Sequence, residues 1–148
     1  MKNIITLLRP HQYVKNIFIF APLVFAFNFS QDAFLNAGIA FVLFSLLASS
    51  IYIFNDYMDI EEDKKHPSKK KRPLASGAIS KKTAQLLFSI LSITVLVLAF
   101  IFSLPLFFVL AVYFLLNIVY SLKLKHIAIV DIFIISTGFV LRLFAGSL

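Results

Sequence analysis

The chain has 148 residues, 60% of them hydrophobic, and a mean hydropathy of +0.92, a balance that excludes an ordinary soluble domain. Its net charge of +7 lies almost wholly outside the apolar runs, so it speaks for membrane topology and anionic headgroups and gives no support for nucleic-acid binding. The absence of cysteine rules out disulfides, thiolate metal sites and cysteine nucleophiles.

Residues 2–13 read as a short interfacial helix. Arg9, His11 and Lys15 interrupt the apolar run too early for a cleavable signal, and no small-residue cleavage site follows. A first span is predicted over 14–29, with Pro22 able to kink it. Residues 33–55 carry no formal charge and are long enough to cross a bilayer. Residues 83–122 are also uncharged, and Ser103-Leu104-Pro105 divides them into two spans joined by a tight turn. A fifth span over 127–145 contains Asp131 and Arg142. The expected architecture is all-α: one polytopic membrane domain over 1–148, with five transmembrane helices and a polar loop over about 56–82.

The basic residues orient this bundle. With alternating spans, every Lys and Arg except Arg142 falls on one side, including Lys2, Arg9, Lys15, the 64–82 loop, Lys123 and Lys125. The opposite loops have none. By the positive-inside rule that side is cytoplasmic, which places the N-terminus and the polar loop there in a multi-pass protein of the inner, or plasma, membrane.

The polar loop opens on Asn55-Asp56-Tyr57-Met58-Asp59-Ile60-Glu61-Glu62-Asp63. On a helix, Asp56, Asp59 and Asp63 are spaced i, i+3 and i+7, and Asn55, Asp59 and Asp63 are spaced i, i+4 and i+8. Both series stack oxygen-bearing side chains on one face. Carboxylates converging beside lipid repel unless a cation sits between them, and hard oxygen ligands suit Mg²⁺, which completes its shell with water and substrate phosphates. The loop then turns basic, through Lys64, Lys65, His66, Lys69, Lys70, Lys71 and Arg72. Carboxylates for a metal followed by cations for phosphate oxygens make a diphosphate clamp. Arg72-Pro73 followed by Ser76-Gly77 suggests a turn that points the guanidinium inward. The competing reading is a solvated acidic helix end with lysines anchoring the cytoplasmic side. His66 receives no role.

Asp131 and Arg142 are three helical turns apart, so they project from nearly one face, roughly 16 Å apart along the axis. Each costs about 2.5–3.5 kcal/mol at a lipid-exposed helix centre. They are therefore expected to face a polar interior or a headgroup boundary, with Arg142 the deeper of the two.

The whole chain resembles the first half of the UbiA-type intramembrane prenyltransferase superfamily. The resemblance rests on Asn55-Asp56-x-x-Asp59-x-x-x-Asp63 followed by Lys69 and Arg72-Pro73-Leu74-Ala75-Ser76-Gly77. Within the superfamily it is similar to the branch that transfers phosphoribosyl groups to decaprenyl phosphate. That narrower likeness rests on Arg9-Pro10-His11-Gln12-Tyr13-Val14-Lys15-Asn16, on His66-Pro67, on Tyr120-Ser121-Leu122-Lys123-Leu124-Lys125, and on Asp131 through Gly138-Phe139-x-x-Arg142 to Gly146. The resemblance implies Mg²⁺-dependent transfer from phosphoribosyl diphosphate to a polyprenyl phosphate. It implies that Asn55, Asp56, Asp59 and Asp63 hold Mg²⁺ and the diphosphate, with Asp56, Asp59 and Arg72 as the catalytic set. Lys69, Lys70 and Arg72 then contact donor phosphates, Arg9 and Lys15 serve either phosphate group, and Tyr120 and Arg142 complete substrate binding. Members resemble a nine-helix bundle with a second motif in the later half, which this sequence lacks, so a missing C-terminal half is expected. The alternatives are an aromatic prenyltransferase that uses a polyprenyl diphosphate, and a non-catalytic remnant.

Overall fold

The computed structural model describes residues 1–124 and 127–148, and every regular element among them is helical. Of the motif residues named above, Lys125 lies outside this range. Helix α1 is Lys2–Leu8, shorter than the interfacial helix expected over 2–13. It stops because Arg9 takes a left-handed conformation (φ 52°) and Pro10, with no N–H, begins a new element.

That element is the main departure from the sequence reading. Pro10–Phe20 forms a 3-10 helix, followed by the short helix α2, Ala21–Phe25. Four helices among the described residues are long and apolar enough to cross a membrane, and the predicted first span is not one of them. Its tighter winding nonetheless gives it reach: at about 2.0 Å per 3-10 residue and 1.5 Å per α residue, residues 10–25 extend about 30 Å, the thickness of a bilayer core. Tyr13, Asn16 and Ile19 recur every third residue, so they share one edge of it. Asn16 and Ile19 are fully buried there.

The spans then follow the expected order. Helix α3, Gln31–Met58, begins at Ser30, whose side chain accepts a hydrogen bond from the Ala33 N–H at 3.3 Å. The short helix α4, Ile60–Lys65, continues it after a break at Asp59. Helix α5, Lys81–Phe102, and helix α6, Leu104–Val119, are separated by Ser103 alone. Ser103 is extended, caps α6 through the Leu106 N–H, and is followed by Pro105 in the first turn. A π-helical turn, Tyr120–Leu124, ends α6, and α7 covers Ala128–Ser147.

Helix α3 is the central post. Its most apolar window is 61% buried, whereas those of the other three spans are no more than 22% buried. Lipid is as apolar as leucine, so close packing of small residues has to hold such helices together. Ala37, Ala40, Ser45, Ala48, Ser49 and Ser50 supply that on α3. Larger side chains, Phe44, Leu47, Leu106, Leu110 and Tyr113, fill the centre against Val95 and Ala99 of α5. Near the polar loop a second cluster joins Leu7 of α1 to Ile53, Ile60, Leu74, Ile79 and Ala84, which anchors the loop beneath the bundle. Gly146 of α7 lies so close to the 3-10 segment that a Cβ added there would collide with the Ile19 carbonyl.

Candidate functional site

The motif residues gather where α3 leaves the bundle. Backbone bonds from Asp59 N to Asn55 O (3.0 Å) and from Asp63 N to Asp59 O (2.8 Å) keep the helical stacking across the break. Asp56 and Asp63 are buried, at 2% and 3% exposure, and Asn55 and Asp59 are half-buried.

Two arginines meet the buried carboxylates. Arg72 Nη1 donates to Asp56 Oδ1 at 3.1 Å and to Asp63 Oδ2 at 2.8 Å, so one guanidinium bridges both. Arg9 Nη2 donates to the same Asp56 oxygen, and its guanidinium lies over the Tyr52 ring at 5.3 Å. The sequence reading expected a cation between converging carboxylates; between Asp56 and Asp63 that cation is Arg72. Among the described residues no three His, Cys, Asp or Glu side chains form a metal-holding group. The inward-pointing turn is found as expected. Ser76 N bonds Arg72 O at 2.9 Å, Ile79 N bonds Pro73 O at 3.0 Å, and Gly77 supplies the left-handed residue at φ 78°.

A cavity of about 220 Å³ opens beside this network, lined by Arg9, Asn55, Asp56, Asp59, Lys69, Arg72, Tyr120 and Ser121, with Met58 at its edge. Asp63 is not part of the lining, because it is turned onto Arg72. Lys70 is exposed and also stands apart, one residue beyond Lys69 on the tight turn Lys69–Lys71. His66 acts locally. Its Nδ1 accepts from the Ser68 N–H at 3.2 Å and the Lys69 N–H at 3.4 Å, which sets the approach to Lys69. Farther out, the exposed Lys64 ammonium donates to Glu61 at 3.0 Å and holds that carboxyl below the ordinary carboxylate range. The resulting stability is present above the usual carboxylate pKa and lost as pH falls through the lowered value; solvent screening keeps it small.

Asn55 and Tyr120 also line a second, deeper cavity of about 260 Å³, with Lys15, Asn117, Asp131 and Arg142 among its walls. The two openings therefore share a wall. Asp131 and Arg142 do project from one face of α7, as their spacing requires. Tyr120 donates from its hydroxyl to Asp131 Oδ1 at 2.5 Å, an arrangement made possible by the π-turn that re-aims the end of α6. Arg142 is buried, at 6% exposure. Its guanidinium sits 5.0 Å from the Phe44 ring centre, 5.2 Å from Phe139 and 5.7 Å from Tyr113. Nε donates to Asn16 Oδ1 at 2.7 Å, and Asn16 in turn donates to Ser45 Oγ at 2.9 Å. Gly138 leaves room for this side chain: a Cβ there would lie 3.0 Å from Arg142 Nη1. A larger cavity of about 360 Å³ at the opposite end of the bundle includes Asn28, Asp32 and Ser147 but no Lys or Arg, so it is unsuited to an anion.

Sequence reasoning placed Asn16 and Ser121 in blocks that carry the family resemblance but gave them no role, and it missed Ser45. The Ser121 hydroxyl reaches both Asn55 Oδ1 and the Asn117 carbonyl, the latter at 2.8 Å, and thereby ties the π-turn to the motif. For Ser45 the signal was the recurrence of serine, at Ser45, Ser49 and Ser50, in the apolar stretch of α3, which marks a helix with polar partners.

The helices and the charge-paired aspartates beneath them define a multi-pass, all-α membrane protein with a cation-rich polar site at one end of its bundle. A model of the UbiA prenyltransferase family matches residues 16–148, and the chain belongs to that family. The chain is 36% identical, over 99% of its length and 48% of the relative's, to decaprenyl-phosphate phosphoribosyltransferase of Mycolicibacterium smegmatis. It is 37% identical, over 98% of its length and 45% of the relative's, to the protein of that name from Corynebacterium glutamicum. It is also 32% identical to nodulation protein NoeC of Azorhizobium caulinodans, over 94% of its length and 45% of the relative's. Among solved structures, a UbiA homolog from Archaeoglobus fulgidus bound to GPP and Mg²⁺ superposes with a TM-score of 0.79 at 22% identity, over 98% of this chain and 53% of that one. The chain thus spans about half the length of the curated relatives it matches.

Proposed function

We propose that this chain forms the donor-binding half of a Mg²⁺-dependent transferase that moves a phosphoribosyl group from phosphoribosyl diphosphate to a polyprenyl phosphate. The observation that carries this reading is the pair of cavities meeting at Asn55 and Tyr120: one is ringed by Arg9, Lys69 and Arg72, and the other by Lys15 and Arg142. Two adjoining cation-lined spaces suit a reaction between two phosphorylated substrates, one of which is a lipid. Relatives that carry the matching activity in their names support the choice of donor. By the positive-inside rule, the donor cavity faces the cytoplasm.

The oxygen donors fit the metal. Mg²⁺ is commonly held by one or two carboxylates plus substrate phosphates, and Asn55, Asp56 and Asp59 line one cavity without a third competing carboxylate. Those three residues would hold it, with Asp63 fixing Arg72 from behind. When bound, Mg²⁺ offsets negative charge on the diphosphate oxygens.

The protein's own groups do the remaining work. The bond from ribose C1 to the diphosphate oxygen breaks with its electron pair leaving on diphosphate, and a bond from C1 to an acceptor phosphate oxygen forms. The acceptor is already anionic and needs little help from a base. Charge building on the leaving group is the harder problem, and Arg9, Arg72 and Lys69 meet it with donors that stand fixed before the reaction. Arg9 and Arg72 are held by Asp56 and Asp63, so they need little reorganisation. Binding titrations on the purified 148-residue chain test the reading: phosphoribosyl diphosphate should bind saturably and only with Mg²⁺. Preference for a polyprenyl diphosphate would replace it with the aromatic-prenyltransferase reading.

A further inference from the structure

Helix α3 presents a second face toward α5. Asn55, Asp56 and Asp59 point into the cation-rich site, whereas Phe54 and Tyr57, on the side toward α5, line a separate groove with Ala84, Gln85, Phe88 and Ser89. The groove measures about 320 Å³ and none of its residues is acidic. Its inner part is carbon: Ala84 is fully buried, and the Phe54 and Phe88 rings lie 5.2 Å apart. Its outer rim is polar, because Gln85 Nε2 donates to the Tyr57 hydroxyl at 2.9 Å across the seam between the helices. Gln85 and Ser89 are exposed, and so are Leu86 and Ile90 beside them, which face lipid.

Cations stand above this rim. Lys81 and Lys82 are exposed and precede Gln85 by four and three residues, one helical turn toward the polar loop on the same side of α5. The nearby carboxylate that senses Lys81, Glu61, is hydrogen-bonded to Lys64. The order from bilayer to loop is therefore aromatic groove, amide and phenol, then two ammonium groups. A phospholipid has the complementary order, acyl chain, ester and phosphate. A zwitterionic headgroup would add a cation beside two lysines; an anionic one would not.

We propose that the α3–α5 groove is a binding site for an anionic phospholipid of the bilayer, with an acyl chain along Phe54 and Phe88 and the headgroup phosphate at Gln85, Lys81 and Lys82. Such a lipid braces the helix whose opposite face presents Asn55, Asp56 and Asp59.

The test is lipid retention by the 148-residue chain, measured by native mass spectrometry after release from mixed phosphatidylcholine–phosphatidylglycerol vesicles. The unsubstituted chain should retain phosphatidylglycerol in preference to phosphatidylcholine. Lys81→Gln with Lys82→Gln should weaken retention roughly tenfold or more, since each surface lysine contributes near an anionic headgroup. Lys70→Gln with Lys71→Gln removes the same charge from an exposed turn that lines no part of the groove, leaves the Lys64–Glu61 pair in place, and should change retention less than about twofold. Ser89→Trp fills the groove at an exposed position without altering charge, and should also displace the lipid. Equal losses in the two lysine pairs, no effect of Ser89→Trp, or equal retention of both lipids would each overturn the proposal.

Discussion

Arg142 Nε and Asn16 Oδ1, 126 residues apart in sequence, are joined by a 2.7 Å hydrogen bond in the buried centre of the bundle. The bond ties α7 to the 3-10 segment, and Ser45 extends it onto α3. A guanidinium at this depth is stable only because an amide and three ring faces replace its water.

Asn16→Leu should therefore destabilise the chain by about 1–3 kcal/mol, as it strands both the Arg142 N–H and the Ser45 hydroxyl. Arg142→Met with Asn16→Leu should recover part of that loss, because no unpaired cation remains. Unfolding in detergent, followed as a double-mutant cycle, measures the coupling; strictly additive losses would disprove it.

Arg72→Lys tests the bridge between Asp56 and Asp63. Lysine keeps the charge but cannot hold both carboxylates with a planar fork. Mg²⁺-dependent affinity for phosphoribosyl diphosphate should fall tenfold or more in a titration, while overall helicity by circular dichroism stays unchanged.

Asp59→Ala tests the proposed metal set. Asp59 lines the polar cavity beside Arg9 and Arg72. In the folded variant, identified by its circular dichroism, Mg²⁺-dependent binding of phosphoribosyl diphosphate is expected to be lost. Near-normal affinity would remove Asp59 from the metal set.

Gly146→Ala adds a methyl group directly against the Ile19 carbonyl. Backbone does not yield as a flexible side chain does, so a loss of about 1–3 kcal/mol is expected, against little change for Gly38→Ala, which meets nothing within 4 Å. Thermal melts of the two variants give the comparison.

What could be read from sequence was what is encoded locally. Spans over 33–55 and 83–122 follow from uninterrupted apolar length, and Ser103 with Pro105 marks a helix boundary through capping chemistry within three residues. The inward turn of Arg72 was legible because Pro73 fixes the backbone beside it and Gly77 can take the left-handed conformation that the turn requires. Pairings at long range left no such trace. Nothing around Asn16 announces a partner 126 residues away, and Ser121 reaches Asn55 only because a π-turn rotates the end of α6. The exclusion of Asp63 from the cavity has the same origin: the helical spacing of the aspartates was right, but the choice of Arg72 as neighbour belongs to the fold.

The 3-10 segment and α3 run beside each other in a shared measure. Three residues of the one and four of the other both advance about 6 Å. Tyr13 accordingly meets Ser49 at 2.6 Å, and Asn16 meets Ser45 at 2.9 Å: steps of three on one side of the pairing are answered by steps of four on the other. The two helices mesh like gears of different tooth count cut to one pitch. A single residue inserted between Tyr13 and Asn16 would turn the remainder by a third of a revolution and carry Asn16 away from Ser45 and Arg142 together. This short stretch should therefore tolerate exchange of its exposed side chains Val14, Ile17 and Phe18 far better than any change in its length.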